Sequence, residues 1–449
     1  MGLNNLTSFV NIMDKERIIE ILIEWNYWGD YESDLKDRPV YIEKMKGMLN
    51  YNVVLIIMGI RRAGKTSLAE LLVKHLLNEE KIEKKDVLYV NFEDPRFPPT
   101  MDSDDIFDIY ETYLTNMDTS DHIVILDEVS RVGNWERFVR YLLESRKQRV
   151  IITGSSSKLL DYEVSEVLTG RHVDMEVTPL SFSEALDFRG IEHSGLDLRR
   201  NRIGIKRCFQ EYCKWGGFPK VFLTGSEEMK KQLLKSYFED ILVKDVVKRF
   251  SVDNIRKLED LAHIYISGIS DLQSFNKLKE RLSLSHDTVE RYSDYLNRAR
   301  LFYFLDKFDW SKWKQLSTRK KVYVADLGLY RMKGFRFSEN RGKVMENMVA
   351  IELMRRRGDD SELYYWKGVR DQEVDFVIKR GEEISQLIQV SAISEEIDIR
   401  KREIRSLLKA YKETDCEDLL IITDDLDTEK EFEGVKIRLV PLWKWLLID

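Results

Sequence analysis

Three cysteines in 449 residues (Cys208, Cys213 and Cys416) are too few for a disulfide framework, which fits a reducing, cytoplasmic setting. Cys208 and Cys213 lack partners at zinc-ligand spacing, and the six histidines form no pair at helical ligand spacing, so the sequence predicts no structural metal. No apolar run approaches the roughly 20 residues of a membrane span, and no N-terminal apolar segment resembles a signal peptide. Cysteine and glutamine are scarce while 34% of residues are charged, a balance with a thermophilic flavour. There is no excess of positive charge. At a net charge of −7, any nucleic-acid binding needs a local basic patch. The length predicts two to four domains, each able to bury a core.

What the sequence does contain is Val53–Ser67, VVLIIMGIRRAGKTS. Its six leading apolar residues carry no charge and predict a buried parallel strand. Gly59, four intervening residues (Ile60, Arg61, Arg62, Ala63), then Gly64, Lys65 and Thr66 follow, and Ser67–Leu77 has helical spacing. Glycines let the backbone wrap a phosphate chain, so that amide N–H groups and the positive end of the helix face it. In such a loop Lys65 reaches the β- and γ-phosphates and the Thr66 hydroxyl holds Mg²⁺. A plain glycine turn would share the spacing, but strand, loop and helix in this order favour an ATP–Mg²⁺ site over Gly59–Ser67.

Further strands bring acids. Asp86–Phe92 predicts a second buried strand ending in Glu93 and Asp94, which either tune the Mg²⁺ shell or cap the next turn. His122–Glu128, HIVILDE, predicts a third, with Asp127 62 residues after Lys65. Asp127 would hold Mg²⁺ through its water shell and Glu128 would polarise the attacking water, in a reaction that depends on positioning and charge stabilisation. Arg149–Ser157 predicts a fourth strand, after which Ser155 or Ser156 would sit between the lytic water and the γ-phosphate. Arg171 either supplies charge to the transition state as an arginine finger or favours a helix C-terminal dipole. Ahead of the loop, Lys15–Gly29 predicts an amphipathic helix packed on the ATPase body.

GIRRAGKTS, ILDE, ITGSSS and LTGR followed by PLSF together resemble the AAA+ superfamily, specifically its origin-recognition and STAND-like branch. They are similar to archaeal and bacterial ATPases that join one AAA+ module to a nuclease-like tail. The resemblance implies an AAA+ sheet order, a helical lid and nucleotide-dependent conformational change. Arg38 lies where relatives meet the adenine or phosphates. Residues 215–219 resemble the Gly-x-Pro lid motif, which assigns Pro219 to the neighbourhood of the base; from the residues alone this is a turn. Hexamers are common among such proteins, so a homo-oligomer is one expectation beside a monomer or dimer.

Ile255–Phe308 predicts three helices and a strand, and Leu301–Asp306 and Lys321–Asp326 predict strands around a basic, tryptophan-containing loop. This is the pattern of a winged helix-turn-helix. From Gln273 to Gly334 there are 14 Lys and Arg against 7 Asp and Glu. One reading places Lys312, Lys314, Arg319, Lys320 and Lys321 on the phosphates of DNA or RNA. The other packs the domain on the nucleotide domain, because Asp287, Glu290 and Asp294 oppose entry of their helix into a major groove.

After a polar break at residues 335–340, a helix containing Glu346 and strands at Leu363–Trp366, Glu373–Ile378 and Leu387–Ser391 begin a new α/β unit. A helix near Arg400–Tyr411 and strands at Leu419–Thr423 and Val435–Leu439 complete it. This order resembles the PD-(D/E)XK nuclease fold, whose acids bind Mg²⁺ and activate water. Matched residue by residue, Glu346 and Asp375 are present, but the acid-x-lysine pair is Gln389-x-Ser391. An amide is a poorer ligand for a hard cation than a carboxylate. Glu373 or Lys379 would have to compensate, so the departure favours an interaction or recognition domain over a metal nuclease.

The expected fold is therefore α/β: an N-terminal helical lead-in (1–50), a P-loop AAA+ core with a parallel sheet (51–182), a helical lid (183–252), a winged helix (253–334) and a restriction-endonuclease-like domain (335–449). The expected cofactors are ATP and Mg²⁺. The expected partners are ATP and ADP, nucleic acid through the basic wing and tail, or proteins, with no membrane. The rival readings are an ATP-regulated nuclease and a slow ATP-timed regulatory switch.

Overall fold

The computed structural model of the chain describes residues 14–28, 34–51, 53–79, 82–119, 121–146, 148–154, 168, 170–316, 318–332, 340–358, 360–369, 372–396 and 401–448. It divides into two compact units, Met1–Gly59 with Gly64–Val177, and Ile60–Ala63 with Thr178–Asp449.

In the first unit, four apolar strands are buried because both their faces are covered, and a fifth, at the edge of the sheet, keeps Asp174 and Glu176 exposed. They are β1 (Val54–Gly59), β2 (Val87–Asn91), β3 (Ile123–Asp127), β4 (Arg149–Thr153) and β5 (His172–Val177). All neighbours are parallel, in the order β2-β3-β4-β1-β5. Strand alternation sends Val54, Ile56, Leu88, Val124 and Ile152 into one apolar layer with Ile18 and Leu22 of the helix Lys15–Trp25. The helix expected at the N-terminus does pack on this sheet. The helices Pro39–Leu49 and Lys65–Glu79 pack on each other and on β1.

The edge of β2 is closed by a side chain. Asn26 Nδ2 donates to the Tyr89 and Leu22 carbonyls at 2.9 and 2.8 Å, and its Oδ1 accepts from Tyr89 N at 2.7 Å. A buried amide thus takes the place of a neighbouring strand at one residue, which removes an exposed pairing edge.

The second unit opens with helices, among them Phe182–Phe188, Arg202–Trp215 and Glu227–Asp240. Then come the helices Ile255–Ser267, Phe275–Leu282 and His286–Arg298 with three short strands: β6 (Leu272–Gln273), β7 (Phe302–Leu305) and β8 (Lys320–Val324). These strands are antiparallel in the order β6-β8-β7.

After the helix Arg341–Arg356 comes a mixed sheet of β9 (Ser361–Lys367), β10 (Glu373–Arg380), β11 (Glu383–Val390), β12 (Leu419–Thr423), β13 (Thr428–Phe432) and β14 (Val435–Pro441). Its order is β13-β14-β12-β11-β10-β9. Past β7, Phe308 N donates to the Tyr365 carbonyl at 2.6 Å and Tyr365 N to the Asp306 carbonyl at 3.0 Å, so the two sheets share backbone bonds. No described helix is long and apolar enough to cross a membrane.

Candidate nucleotide site and a buried lysine–carboxylate cluster

The glycine loop leaves β1 at its carboxyl end. At Gly59 the backbone has φ +151°, and a Cβ there would stand 2.0 Å from the Val177 carbonyl oxygen, so only glycine lets β1 and β5 close around the loop's root. Arg62 and Gly64 also have positive φ, at 74° and 99°. The helix Lys65–Glu79 starts at once, with Leu68 N donating to the Gly64 carbonyl at 2.9 Å. Lys65 is buried and its Nζ donates to the Gly59 carbonyl at 3.1 Å, inside the curve of the loop.

Asp127, at the end of β3, gathers three hydroxyls. Thr66 Oγ1 lies 3.1 and 3.0 Å from its two oxygens, Tyr89 OH donates at 3.0 Å, and Thr153 Oγ1 donates from the end of β4. Burial raises the Asp127 carboxyl above its usual range, against the pull of those hydroxyls and Lys65. Burial, and then the charge of Asp127, raise the Tyr89 phenol. Glu128 follows in the left-handed region at φ +53°, its N–H donating to Thr153 Oγ1 at 3.1 Å. A non-glycine residue held there by its surroundings is a strained position of the kind found at functional sites. Hard oxygen donors from Thr66 and Asp127, beside a buried lysine, suit Mg²⁺ and phosphate.

Lys65, Thr66, Asp127 and Glu128 are thus brought together in the first unit. Tyr89 and Thr153 were missed. Thr153 closes β4 just before the hydroxyl run that contains Ser155 and Ser156, which both lie outside the described residues. The signal available for Tyr89 was its place on the neighbouring strand, where β2 and β3 pair in register through Asn91 and Asp127. Glu93 pairs with Arg131 and Asp94 with Arg96 and Trp25, so these acids serve a turn and its ion pairs. The Arg96 guanidinium holds the Asp94 carboxyl well below the usual carboxylate range. Arg38 is buried with its guanidinium 4.4 Å from the centre of the Tyr41 ring.

Arg171 stands away from the loop of its own chain. Its carbonyl accepts from Val54 N at 2.8 Å, at the start of β1, whereas the loop leaves the far end of that strand. At 3.3 Å per residue the separation along the strand is roughly 17 Å. Arg171 is half exposed and ion-paired with Glu144 at 3.0 Å, so it does not serve the loop of its own chain.

In the second unit, the loop-tip arginines are paired. Arg61 makes two bonds to Asp245, at 3.0 and 2.9 Å, and Arg62 lies 3.7 Å from Asp240. Pro219 begins the short helix Pro219–Leu223. The glycines before it are clamped: Gly217 N donates to Asp326 Oδ2 at 2.7 Å, and a Cβ on Gly217 would meet the Leu180 carbonyl oxygen at 2.3 Å. Burial pushes Asp326 up to about 7.

Glu346, Asp375 and Gln389 are brought together, with Glu373 beside them. At their centre stands Lys321. Its Nζ is 2.9 Å from Glu346, 2.8 Å from Glu373 and 2.8 Å from Asp375, and its side chain is 1% exposed. Gln389 Nε2 and Val390 N donate to the other Asp375 oxygen at 2.7 and 2.9 Å, and Tyr323 OH donates to Glu346 at 2.8 Å. Burial works against the Lys321 charge, but Asp375, Glu346 and Glu373 hold its ammonium well above the ordinary lysine value. Burial, followed by the nearby Asp375, raises the Glu346 carboxyl to about 8.

The placement of Lys321 corrects the expectation that it contacts nucleic-acid phosphates. Strand alternation turns it inward, and Lys320 is occupied by Asp306 at 2.5 Å. Lys312, Lys314 and Arg319 are exposed, with Trp310 and Trp313 alongside at 64% and 80% exposure. Lys379 does not compensate at the cluster, because it pairs with Glu362 at 2.8 Å.

A family profile described as an AAA domain matches residues 51–186; two others, described as the domains of unknown function DUF8612 and DUF4143, match residues 206–338 and 341–445. The Walker-type ATPase PABY2304 of Pyrococcus abyssi superposes with a TM-score of 0.45 at 14% identity, over 67% of this chain and 97% of that one. A Haemophilus influenzae protein is 28% identical over 90% of this chain and 98% of its own. The Methanocaldococcus jannaschii protein MJ1544 is 34% identical over 97% of both chains. The chain therefore carries an AAA domain and belongs to the same family as MJ1544.

Proposed function

We propose that the protein binds ATP with Mg²⁺ at Gly59–Ser67 and hydrolyses it, and that nucleotide state governs a winged-helix domain and a nuclease-like tail that does not cut. The reading is carried by the meeting of Thr66 and Asp127 at 3.0–3.1 Å beside buried Lys65. In it, the loop amides and Lys65 hold the β- and γ-phosphates. The Thr66 hydroxyl would hold Mg²⁺ and Asp127 would hold it through its water shell, and the ion would neutralise charge on the phosphate oxygens. Glu128 orients and polarises the attacking water, with its backbone fixed by Thr153. Tyr89 and Thr153 keep Asp127 in place.

The helices and antiparallel strands of residues 253–334 support the winged-helix reading, and the match to an AAA domain supports the ATPase. A nucleic-acid role rests on Lys312, Lys314 and Arg319 with the exposed Trp310 and Trp313, a pairing of phosphate-binding charge and stacking surface. The test is ATP turnover of the full chain with and without DNA or RNA, beside nucleotide binding. Binding that needs Lys65, with turnover that needs Glu128, is the expected result. Equal ATP uptake by Lys65→Ala overturns the assignment. Stimulation by nucleic acid that is lost in Lys312→Ala/Arg319→Ala favours a nucleic-acid-handling ATPase, whereas slow, unstimulated turnover favours a timed switch.

A further inference from the structure

Three carboxylates from the C-terminal residues converge on one ammonium that comes from outside them. Glu346 lies on the helix Arg341–Arg356 and Glu373 and Asp375 on β10, while Lys321 lies on β8. The nuclease resemblance implies a divalent cation here, and the residues present do not fit one. Mg²⁺ demands oxygen ligands at about 2.0–2.1 Å in near-octahedral array. Among the described residues, no group of three or more His, Cys, Asp or Glu is arranged to hold a metal ion. The separations of 2.8–2.9 Å are those of charge-assisted N–H···O bonds.

Gln389 points the same way. In place of an anionic ligand stands an amide whose Nε2 donates to Asp375, while its Oε1 is buried with no hydrogen-bond partner. With Val390 N and Tyr323 OH, the oxygens that would face a metal are turned to N–H and O–H donors.

The geometry points to Lys321 as a built-in cation that takes the place of a divalent metal among Glu346, Glu373 and Asp375, keeping the C-terminal domain metal-free and closed to metal-dependent phosphodiester cleavage. An ammonium brings one positive charge and three N–H donors, one for each carboxylate. It brings none of the open coordination positions at which a metal binds water or phosphate. Because the cation is carried on β8, it also fastens the three-stranded sheet to the carboxylates of the C-terminal domain. Its removal exposes a hard, anionic pocket suited to a divalent ion.

The test is Mn²⁺ binding to the full, nucleotide-free chain, followed by electron paramagnetic resonance. Wild type is expected to take up no ion that Asp375→Asn abolishes. Lys321→Ala, shown folded by sizing and near-UV circular dichroism, is expected to gain one bound Mn²⁺ per chain, lost again in Lys321→Ala/Asp375→Asn. Lys321→Met, which keeps the aliphatic stem, replaces the alanine variant if that does not fold. A wild-type ion dependent on Asp375, or no gained ion in a folded Lys321 variant, overturns the proposal. A second measurement needs no variant: amine acylation read by mass spectrometry should modify exposed Lys312 and spare Lys321, with or without millimolar Mn²⁺. Acylation of Lys321 on adding Mn²⁺ would mean that the metal displaces it, and the proposal fails.

Discussion

Single side chains set the chemistry of the nucleotide site. Lys65 is buried inside its own loop, so a truncation there removes a charge that no neighbour replaces. Lys65→Ala is expected to weaken ATP binding by about tenfold to a hundredfold, measured with a fluorescent analogue, as for loss of a charged hydrogen bond. Glu128→Gln keeps the side chain's size and its left-handed backbone. It should bind ATP as wild type does while turnover falls by about 10²–10⁴-fold, the usual range for removing a general base. Tyr89→Phe removes one of the donors to Asp127 but leaves Thr66 and Thr153. Its expected cost is about 1 kcal/mol in chemical denaturation, with a raised Mg²⁺ requirement for turnover. Lys65 and Asp127 were legible because their roles need a residue type at a fixed spacing along the chain. Tyr89 and Thr153 were not, because what recruits them is the lateral pairing of β2, β3 and β4, which spacing does not encode.

At the scale of elements, patterning carried far. The buried strand before the glycine loop, the acid-tipped strand and the α/β order of the last hundred residues all follow from apolar runs and turn residues. Direction across a strand was harder. Lys320 and Lys321 are neighbours in a basic segment, yet the alternation of β8 leaves one near solvent beside Asp306 and buries the other among acids. A count of charge does not show which of two adjacent lysines turns inward.

The clamp between the Gly216–Gly217 turn and Asp326 likewise joins residues far apart in sequence. Because the folded state raises Asp326 to about 7, the native chain holds a proton that the unfolded chain has released. This group's contribution to stability is therefore undiminished below about pH 4 and is progressively lost as pH rises to about 7. Thermal melts across that window should fall less steeply in Asp326→Asn. Asn26 is a similar local device at the edge of β2. Asn26→Ala leaves Tyr89 N–H and C=O without their buried partner, and about 2 kcal/mol should be lost in urea denaturation.

For the whole molecule, the consequential feature is the pair of backbone bonds between residues 306–308 and Tyr365. β9 is the last strand of the six-stranded sheet, and these bonds occupy its outward side at its middle. A fragment starting at residue 341 would bare them and would take the Lys321 ammonium away from Glu346 and Asp375, leaving Glu373 with Lys367 at 3.3 Å. Such a piece should self-associate through the uncapped strand, visible as a concentration-dependent mass in light scattering, where the intact polypeptide keeps that flank sealed. Dissecting this protein at its apparent seams would thus yield a sticky, charge-frustrated remnant rather than an autonomous module.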